Sequence, residues 1–366
     1  AIKVGGMGVM TIGALLSLLV SRRLGITQKL LTASETRTSQ LGDVRAIVGA
    51  VVITSTSCEA VLAVLLTARF AALGGGFGEA LWHGVFYGVS TFNNAGFDVT
   101  ASGLSMHVAD WMVLLPIALG VIVGSVGFPV ILNIKRNLRR PSHWTLTTKL
   151  TLTASAVLLV VAPVLIGLFE WNNPGTFGSM SVGEKILNLF FAGVQTRSGG
   201  FATVNVARMH PATLLVQDAL MFVGGGSAST AGGIKVTTLA VMVVAVRAEA
   251  RGDRDAEAFG RRLSPSVLRV AVTVVGVSIL IVLAASLVLF AVSSAPTDQI
   301  LFEVFSAFGT CGLSTGLTAH LPMVGKAAIT LLMLVGRLGT MTIAATLAMS
   351  NRRRIIRLPE ERPIVG

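Results

Sequence analysis

Apolar residues along this chain come in long blocks rather than in alternation. The blocks 47–70, 111–134, 150–169, 267–292 and 329–349 carry few charges. Each approaches or exceeds the ~20 residues that a helix needs to cross a bilayer. The pattern predicts an all-α polytopic membrane protein. Shorter apolar stretches lie between the blocks and stop abruptly. In Gly84-Val-Phe-Tyr-Gly-Val-Ser-Thr-Phe-Asn-Asn-Ala-Gly-Phe97 a helical run meets Asn94, Ala95, Gly96 and Phe97, a poor continuation for any helix.

The same pattern occurs three times. Phe86–Phe97, Phe190–Phe201 and Phe302–Leu313 align, with Gly96, Gly200 and Gly312 in one column at intervals of just over a hundred residues. A glycine-bearing span follows each: Val123-Gly-Ser-Val-Gly127, an expanded copy opening at Val223-Gly-Gly-Gly226, and Val335-Gly-Arg-Leu-Gly339. A fourth copy, Val4-Gly-Gly-Met-Gly8, stands at the start. The repeating unit is span, half-length helix with loop, span. Residues 1–20 read as the second span of an incomplete unit 1, 45–134 as unit 2, 148–246 as unit 3 and 265–350 as unit 4. Residues 21–44, 135–147 and 247–264 are the linkers between them, and 351–366 is a tail.

A half-length helix cannot cross the hydrocarbon core. Backbone that leaves helical geometry at that depth is tolerated only where protein or a water-filled path satisfies it. Three such segments in equivalent positions predict a shared axial cavity. A helix C-terminus carries roughly half a negative charge, so several aimed at one point stabilise a cation there. Loop carbonyls can then replace the ion's water shell. Glycine at one aligned position fits such a strand, because it accepts dihedrals that other residues avoid.

Composition sharpens the picture. The chain is 53% hydrophobic and 13% charged, with mean hydropathy +0.78, which excludes an ordinary soluble domain. The net charge of +12 suggests nucleic acid until its distribution is considered. Arg22, Arg23, Lys29, Arg37 and Arg45 lie in one linker, and Lys135, Arg136, Arg139, Arg140 and Lys149 around the next. Arg247, Arg251, Arg254, Arg261, Arg262 and Arg269 lie in or beside the third, and Arg352, Arg353, Arg354 and Arg357 in the tail. The alternate linkers hold few basic residues, among them Arg69, Lys185, Arg197 and Arg208. This bias places the basic linkers and the C-terminus on the cytoplasmic side, facing anionic lipid rather than nucleic acid. Cys58 and Cys311 do not suggest a disulfide framework, and the first residues do not form a signal peptide. The five histidines show no helical metal-ligand spacing, and no hydrolytic triad or paired catalytic carboxylates stand out, so an enzyme is not expected.

The order, spacing and flanks of these motifs resemble the Trk/Ktr/HKT superfamily of potassium transporters, most closely its KtrB-like ion-translocating subunits. The resemblance covers essentially the whole chain, including the closing Pro359-Glu-Glu-Arg-Pro-Ile-Val-Gly366. It implies repeated span–pore helix–span units around a pseudo-fourfold central pore. Asn94, Ala95, Gly96 and Phe97, Ser198, Gly199, Gly200 and Phe201, and Thr310, Cys311, Gly312 and Leu313 then look like the filters of units 2, 3 and 4. Potassium at the filter is the expected metal and the substrate, sodium is the candidate coupling ion, and no cofactor is expected in this chain. The implied partners are a second copy of the chain, a cytosolic nucleotide-binding regulatory subunit of the KtrA/TrkA type, and the lipid bilayer of the inner membrane. Sodium or mixed monovalent-cation transport is the alternative.

Two further features fit gating. Gly224, Gly225, Gly226, Ser227, Ala228, Ser229, Thr230, Ala231, Gly232 and Gly233 interrupt the span of unit 3. A phosphate-binding loop is excluded because Ile234 separates Gly233 from Lys235, and a polar linker in mid-membrane is costly. The resemblance implies an intramembrane gating loop, with Ser227, Ser229 and Thr230 wetted by the cavity. Arg337, inside an apolar span, is the implied cationic barrier below the filter. Arg197 is expected to point off the axis or to pair with an acid, Glu59 to partner a basic group, and Asp218 to be solvated or to cap. Because the family pattern has four pore loops, the sequence reads as truncated before Ala1; a non-conducting fragment follows if so.

Overall fold

The computed structural model describes residues 1–6, 8, 11, 44–100 and 103–349. Most of the expected first span, the linker after it and the tail lie outside the described residues, as does the closing motif 359–366. Helical backbone at 2–6 is followed by α1 (Val44–Ala72), α2 (Phe77–Phe92), α3 (Trp111–Val126) and α4 (Phe128–Arg136). The middle of the chain gives α5 (Leu146–Glu170), α6 (Val182–Gln195), α7 (Pro211–Phe222) and α8 (Val236–Arg251). A hairpin of β1 (Glu257–Ala258) and β2 (Arg261–Arg262) precedes α9 (Pro265–Val292), α10 (Thr297–Phe308), α11 (Leu317–His320) and α12 (Met323–Met349). Among the described residues, α1, α5 and α9 are each long and apolar enough to cross a membrane, and the bent pair α3–α4 reaches that length and hydropathy only if its two helices are taken together.

The block 111–134 is expected as one span, and here the structure differs. It bends by 93° at Gly127. Gly127 has φ +97°, a conformation that side-chain-bearing residues avoid, and Pro129 removes a donor that a continuous helix would need. The Phe128 N–H instead donates to the Ala228 carbonyl, 3.2 Å away. The β-hairpin is the second departure from an all-α reading. Phe259 and Gly260, both at positive φ, form its tip, as a tight two-residue hairpin turn demands.

The long helices lie outside and the short ones inside. On α9, Leu280, Leu283 and Leu287 are exposed while Val274, Val282 and Leu289 are buried. Both faces are apolar, as lipid requires of a spanning helix. The buried clusters instead form around the short helices: Tyr87, Phe191 and Phe201 beside α3, and Phe302, Cys311 and Leu313 beside Ile166 and Met221. Lipid tails give no hydrophobic drive between helices, so close approach of small residues does the packing. A methyl built on Gly88 would lie 2.9 Å from the Ala63 nitrogen of α1, and one on Gly193 2.7 Å from Pro163 Cδ of α5.

At the end of the bundle away from the arginine-rich linkers, buried carboxylates fix the loops. Glu170 accepts from His210 N–H at 2.7 Å, Thr213 Oγ1 at 2.6 Å and Asn173 Nδ2 at 2.8 Å, tying the end of α5 to the start of α7. Asp110 caps α3 through Met112 N–H at 3.0 Å and pairs with Arg69 of α1 at 2.8 Å.

Candidate ion site

The three short helices α2, α6 and α10 have 16, 14 and 12 residues. At 1.5 Å per residue they extend about 18–24 Å, less than the ~30 Å of the hydrocarbon core. Each ends in a turn with the same backbone signature. Asn94, Ser198 and Thr310 have φ 49°, 63° and 45°, and two residues later Gly96, Gly200 and Gly312 have φ 67°, 81° and 95°. In α2 the Asn94 N–H returns to Thr91 O and the Ala95 N–H to Ser90 O. In α10 the Thr310 and Cys311 N–H groups return to Ala307 O and Ser306 O. These paired bonds are the left-handed C-cap that normally selects glycine. Asparagine tolerates it, while β-branched Thr310 is strained there. After α6, Gly199 and Gly200 N–H both reach Gln195 O.

The turns meet. A methyl on Gly96 would lie 2.8 Å from Gly200 Cα, one on Gly200 would collide with the Cys311 carbonyl, and one on Gly312 would lie 3.6 Å from Gly200 Cα. Side chains tie neighbouring turns together. Ser198 Oγ donates to Gly309 O at 2.7 Å, Cys311 Sγ to Gln195 O at 3.1 Å, and Asn94 Nδ2 to Arg197 O at 3.4 Å. The residues expected at the three filters are thus together in space, around three converging helix C-termini.

Behind the glycines, each strand is pinned to its own helix. Ser90 Oγ bonds both the N–H and the carbonyl of Phe97 at 3.1 Å. Ser306 Oγ donates to Leu313 O at 2.5 Å. In the middle copy Gln195 Oε1 accepts from Phe201 N–H at 3.3 Å. One turn earlier on α2 and α10, polarity is exchanged between helix and strand. Tyr87 O–H donates to Asp98 at 3.0 Å, whereas Glu303 accepts from Ser314 Oγ at 2.7 Å and Thr315 N–H at 2.8 Å. None of these five helix positions is among the residues expected at the site, and four of them carried a signal. Their signal was a matched column: Ser90 aligns with Ser306 and Tyr87 with Glu303.

The glycine-rich interruption spans 223–235, between α7 and α8, and lies against the turns. Its expected wetting is not what the structure shows: only Ser227 is partly exposed, and residues 223–226 and 228–235 are buried. Every neighbouring unit holds it. Gly226 N–H donates to Ser125 O at 2.7 Å, and Thr230 Oγ1 lies 2.9 Å from Gly124 O and 3.1 Å from Asn94 Oδ1. Gly232 N–H reaches Ser198 Oγ at 3.2 Å, and Gly233 N–H reaches Gly336 O at 3.3 Å. Val223 and Ile234 close the loop's neck as a parallel bridge. Glycine suits the passage because backbone and side chains both crowd the loop: a methyl on Gly225 would lie 2.5 Å from Ser125 O, and one on Gly232 would collide with the Thr310 side chain.

Charged groups surround this plug. Arg337 Nη1 is 3.5 Å from Thr310 Oγ1, directly at the base of the third turn. Lys235 Nζ donates to Ala231 O at 2.7 Å and repels Arg337 electrostatically. Arg197 points away from the turns and donates to Ser155 Oγ at 2.9 Å; among the described residues it has no acid partner. Glu59 pairs with Lys3 at 3.0 Å and accepts from Asn93 Nδ2 at 2.7 Å. Asp218 corrects its expectation of a solvated or capping acid. It is 2% exposed within α7, and its Oδ1 has no hydrogen-bond partner among the described residues.

Residues 1–353 match the TrkH family, described as a cation transport protein. The whole chain aligns at 34% identity with 81% of the Ktr system potassium uptake protein B of Bacillus subtilis (strain 168). It aligns at 33% identity with 80% of the protein of the same name from Vibrio alginolyticus. It also aligns at 31% identity with 82% of the potassium/sodium uptake protein NtpJ of Enterococcus hirae. The crystal structure of the potassium transporter TrkH from Vibrio parahaemolyticus superposes with a TM-score of 0.70 at 15% identity, covering 95% of this chain and 70% of that one.

Proposed function

This chain belongs to the TrkH family of cation transport proteins, and on that premise we propose that it carries potassium across the cytoplasmic membrane through a filter of backbone carbonyls. The observation that carries the reading is the convergence of Gly96, Gly200 and Gly312 at the ends of three half-length helices. Three negative helix ends at one buried point compensate a cation that has shed water, and carbonyls of 94–97, 198–201 and 310–313 supply its ligands. The repeated units are disposed about a pseudo-fourfold axis, with α2, α6 and α10 as pore helices. No covalent step is required, so the chain is a conduit rather than an enzyme.

Loop 224–233 and Arg337 form the barrier. The loop's bonds to Gly124, Ser198 and Gly336 hold it under the filter, and the Arg337 guanidinium repels an arriving cation. Opening requires those bonds to be exchanged for water. The arginine-rich linkers face the cytoplasm, and with them the tail. They offer a docking face for a cytosolic nucleotide-binding regulatory subunit, and the transporter works as a homodimer. Potassium follows from the names of the B. subtilis and V. alginolyticus relatives, while the E. hirae relative's name favours a second reading, transport of both potassium and sodium.

The test is uptake in cells lacking their own potassium uptake, expressing the complete gene. Growth at low potassium, with rubidium uptake that excess sodium does not inhibit, is expected. Uptake that sodium suppresses equally would favour the second reading, and no uptake by a protein present in the membrane would refute both.

A further inference from the structure

We propose that the groove between α5, α8 and the β1–β2 hairpin is a binding site for an anionic phospholipid of the cytoplasmic leaflet. The proposal rests on the membrane orientation given above. The groove encloses a cavity of about 970 Å³. Its floor is apolar, built by Leu150 and Val157 of α5 and by Leu239 and Val243 of α8. Its rim carries three arginines beside three acids: Arg247 and Arg251, one turn apart on α8, and Arg254 just beyond the helix, with Asp253, Asp255 and Glu257. The three guanidinium groups have no hydrogen-bond or ion-pair partner among the described residues. Asp255, also on the rim, is already bound to Arg262 at 2.8 Å. Asp253, between Arg251 and Arg254 at the end of α8, and Glu257 on β1 are acceptors for a headgroup hydroxyl.

An apolar floor continuous with unpaired arginines matches an acyl chain continuous with a phosphate. Basic pockets between spanning helices on the cytoplasmic side suit acidic headgroups. The hairpin gives a second, independent indication. Phe259, at its tip, lines the groove, is 51% exposed and has φ 53°, a backbone that bulky residues avoid. The two-residue turn demands that backbone but not an aromatic side chain on it, so the ring is better explained by what it touches. An aromatic ring at headgroup level is a favourable place for one, and Lys149 Nζ lies 6.0 Å from its centroid. The groove is also preformed: buried Leu150, Ala240, Ala256 and Leu263 lock the hairpin to both helices.

The complete gene product, purified in neutral detergent, is titrated with dioleoyl phosphatidylglycerol, phosphatidylethanolamine or phosphatidylcholine and analysed by native mass spectrometry. Phosphatidylglycerol is expected to bind about tenfold or more tightly than the other two, as three surface arginines can supply. Arg247→Gln/Arg251→Gln/Arg254→Gln should erase that preference. Val243→Trp, which fills the floor without changing charge, should weaken binding of the acyl chain by a similar factor. Arg139→Gln/Arg140→Gln, basic but outside the groove, should leave the preference intact. No preference in the unaltered protein, or equal loss in the Arg139/Arg140 control, overturns the proposal. So does loss of a regulatory protein's binding in the triple variant without any lipid preference in the unaltered protein. Binding is read without transport, so absent potassium flux with an intact lipid preference would refute only the transport reading.

Discussion

Alanine at Gly96 should cost this protein its ion discrimination before it costs the fold. The new methyl would lie 2.8 Å from Gly200 Cα and 2.9 Å from Gly199 O, with φ at +67°. The left-handed backbone alone costs about 1–2 kcal/mol for a residue with a Cβ. Overpacking against another backbone adds about 1–3 kcal/mol. Gly312 provides the internal control, since at φ +95° it bears the backbone cost, but its methyl would meet only Gly200 Cα at an ordinary 3.6 Å. The two variants should therefore differ by about 1–3 kcal/mol, roughly five- to 150-fold in the occupancy of the native filter geometry. The assay is the initial rate of rubidium uptake with and without excess sodium, alongside the melting temperature of each purified variant. Gly96→Ala is expected to reach the membrane folded and lose preference for rubidium, with Gly312→Ala milder. A folded Gly96→Ala protein with unaltered preference, or a Gly312→Ala protein that is worse, would refute the converging-strand account.

Arg337→Ala should raise potassium flux several-fold, and unchanged or lower flux in well-folded protein would count against an electrostatic barrier. Thr230→Ala removes the hydroxyl that reaches Gly124 O and Asn94 Oδ1; at about 0.5–1.5 kcal/mol of closed-state stability it should open the loop two- to tenfold more often, and flux at or below the original level would argue against gating. Ser306→Ala leaves the buried Leu313 carbonyl short of a donor, a cost of about 1–3 kcal/mol, so potassium-over-sodium selectivity should fall while Ser306→Thr restores it; full selectivity in the alanine variant would show that the strand is held otherwise. Asp218→Asn should raise the melting temperature by removing a buried carboxylate with an unpartnered oxygen, and a lower one would mean that the carboxylate has a partner of its own.

The spans and the turns could be read from the sequence for different reasons. Block length alone reports a crossing, so α1, α5 and α9 were recoverable from hydropathy. The turns were recoverable because Gly96, Gly200 and Gly312 repeat in register, and a repeated glycine reports a repeated dihedral. What hydropathy could not give was direction within the membrane. Lipid and protein interior are equally apolar, so Leu283 facing out and Val282 facing in look alike in sequence. That is also why Asp218 was misplaced: its depth depends on packing against α10, not on its distance from a helix end. The bend at Gly127 was hidden inside an unbroken apolar run, since the partner that stabilises it, Ala228, lies in a different unit. The loop at 224–233 announced itself by composition. Its burial did not, because the acceptors at Gly124, Ser125 and Gly336 are backbone atoms that any residue would carry.

The most direct measurement is the anomalous scattering of rubidium in crystals of the complete gene product grown with rubidium in place of potassium. The account predicts a peak on the axis where the chains at Gly96, Gly200 and Gly312 meet, within coordinating distance of carbonyl oxygens from all three turns. A peak coordinated by side chains elsewhere, or turns splayed apart with no ion between them, would contradict it.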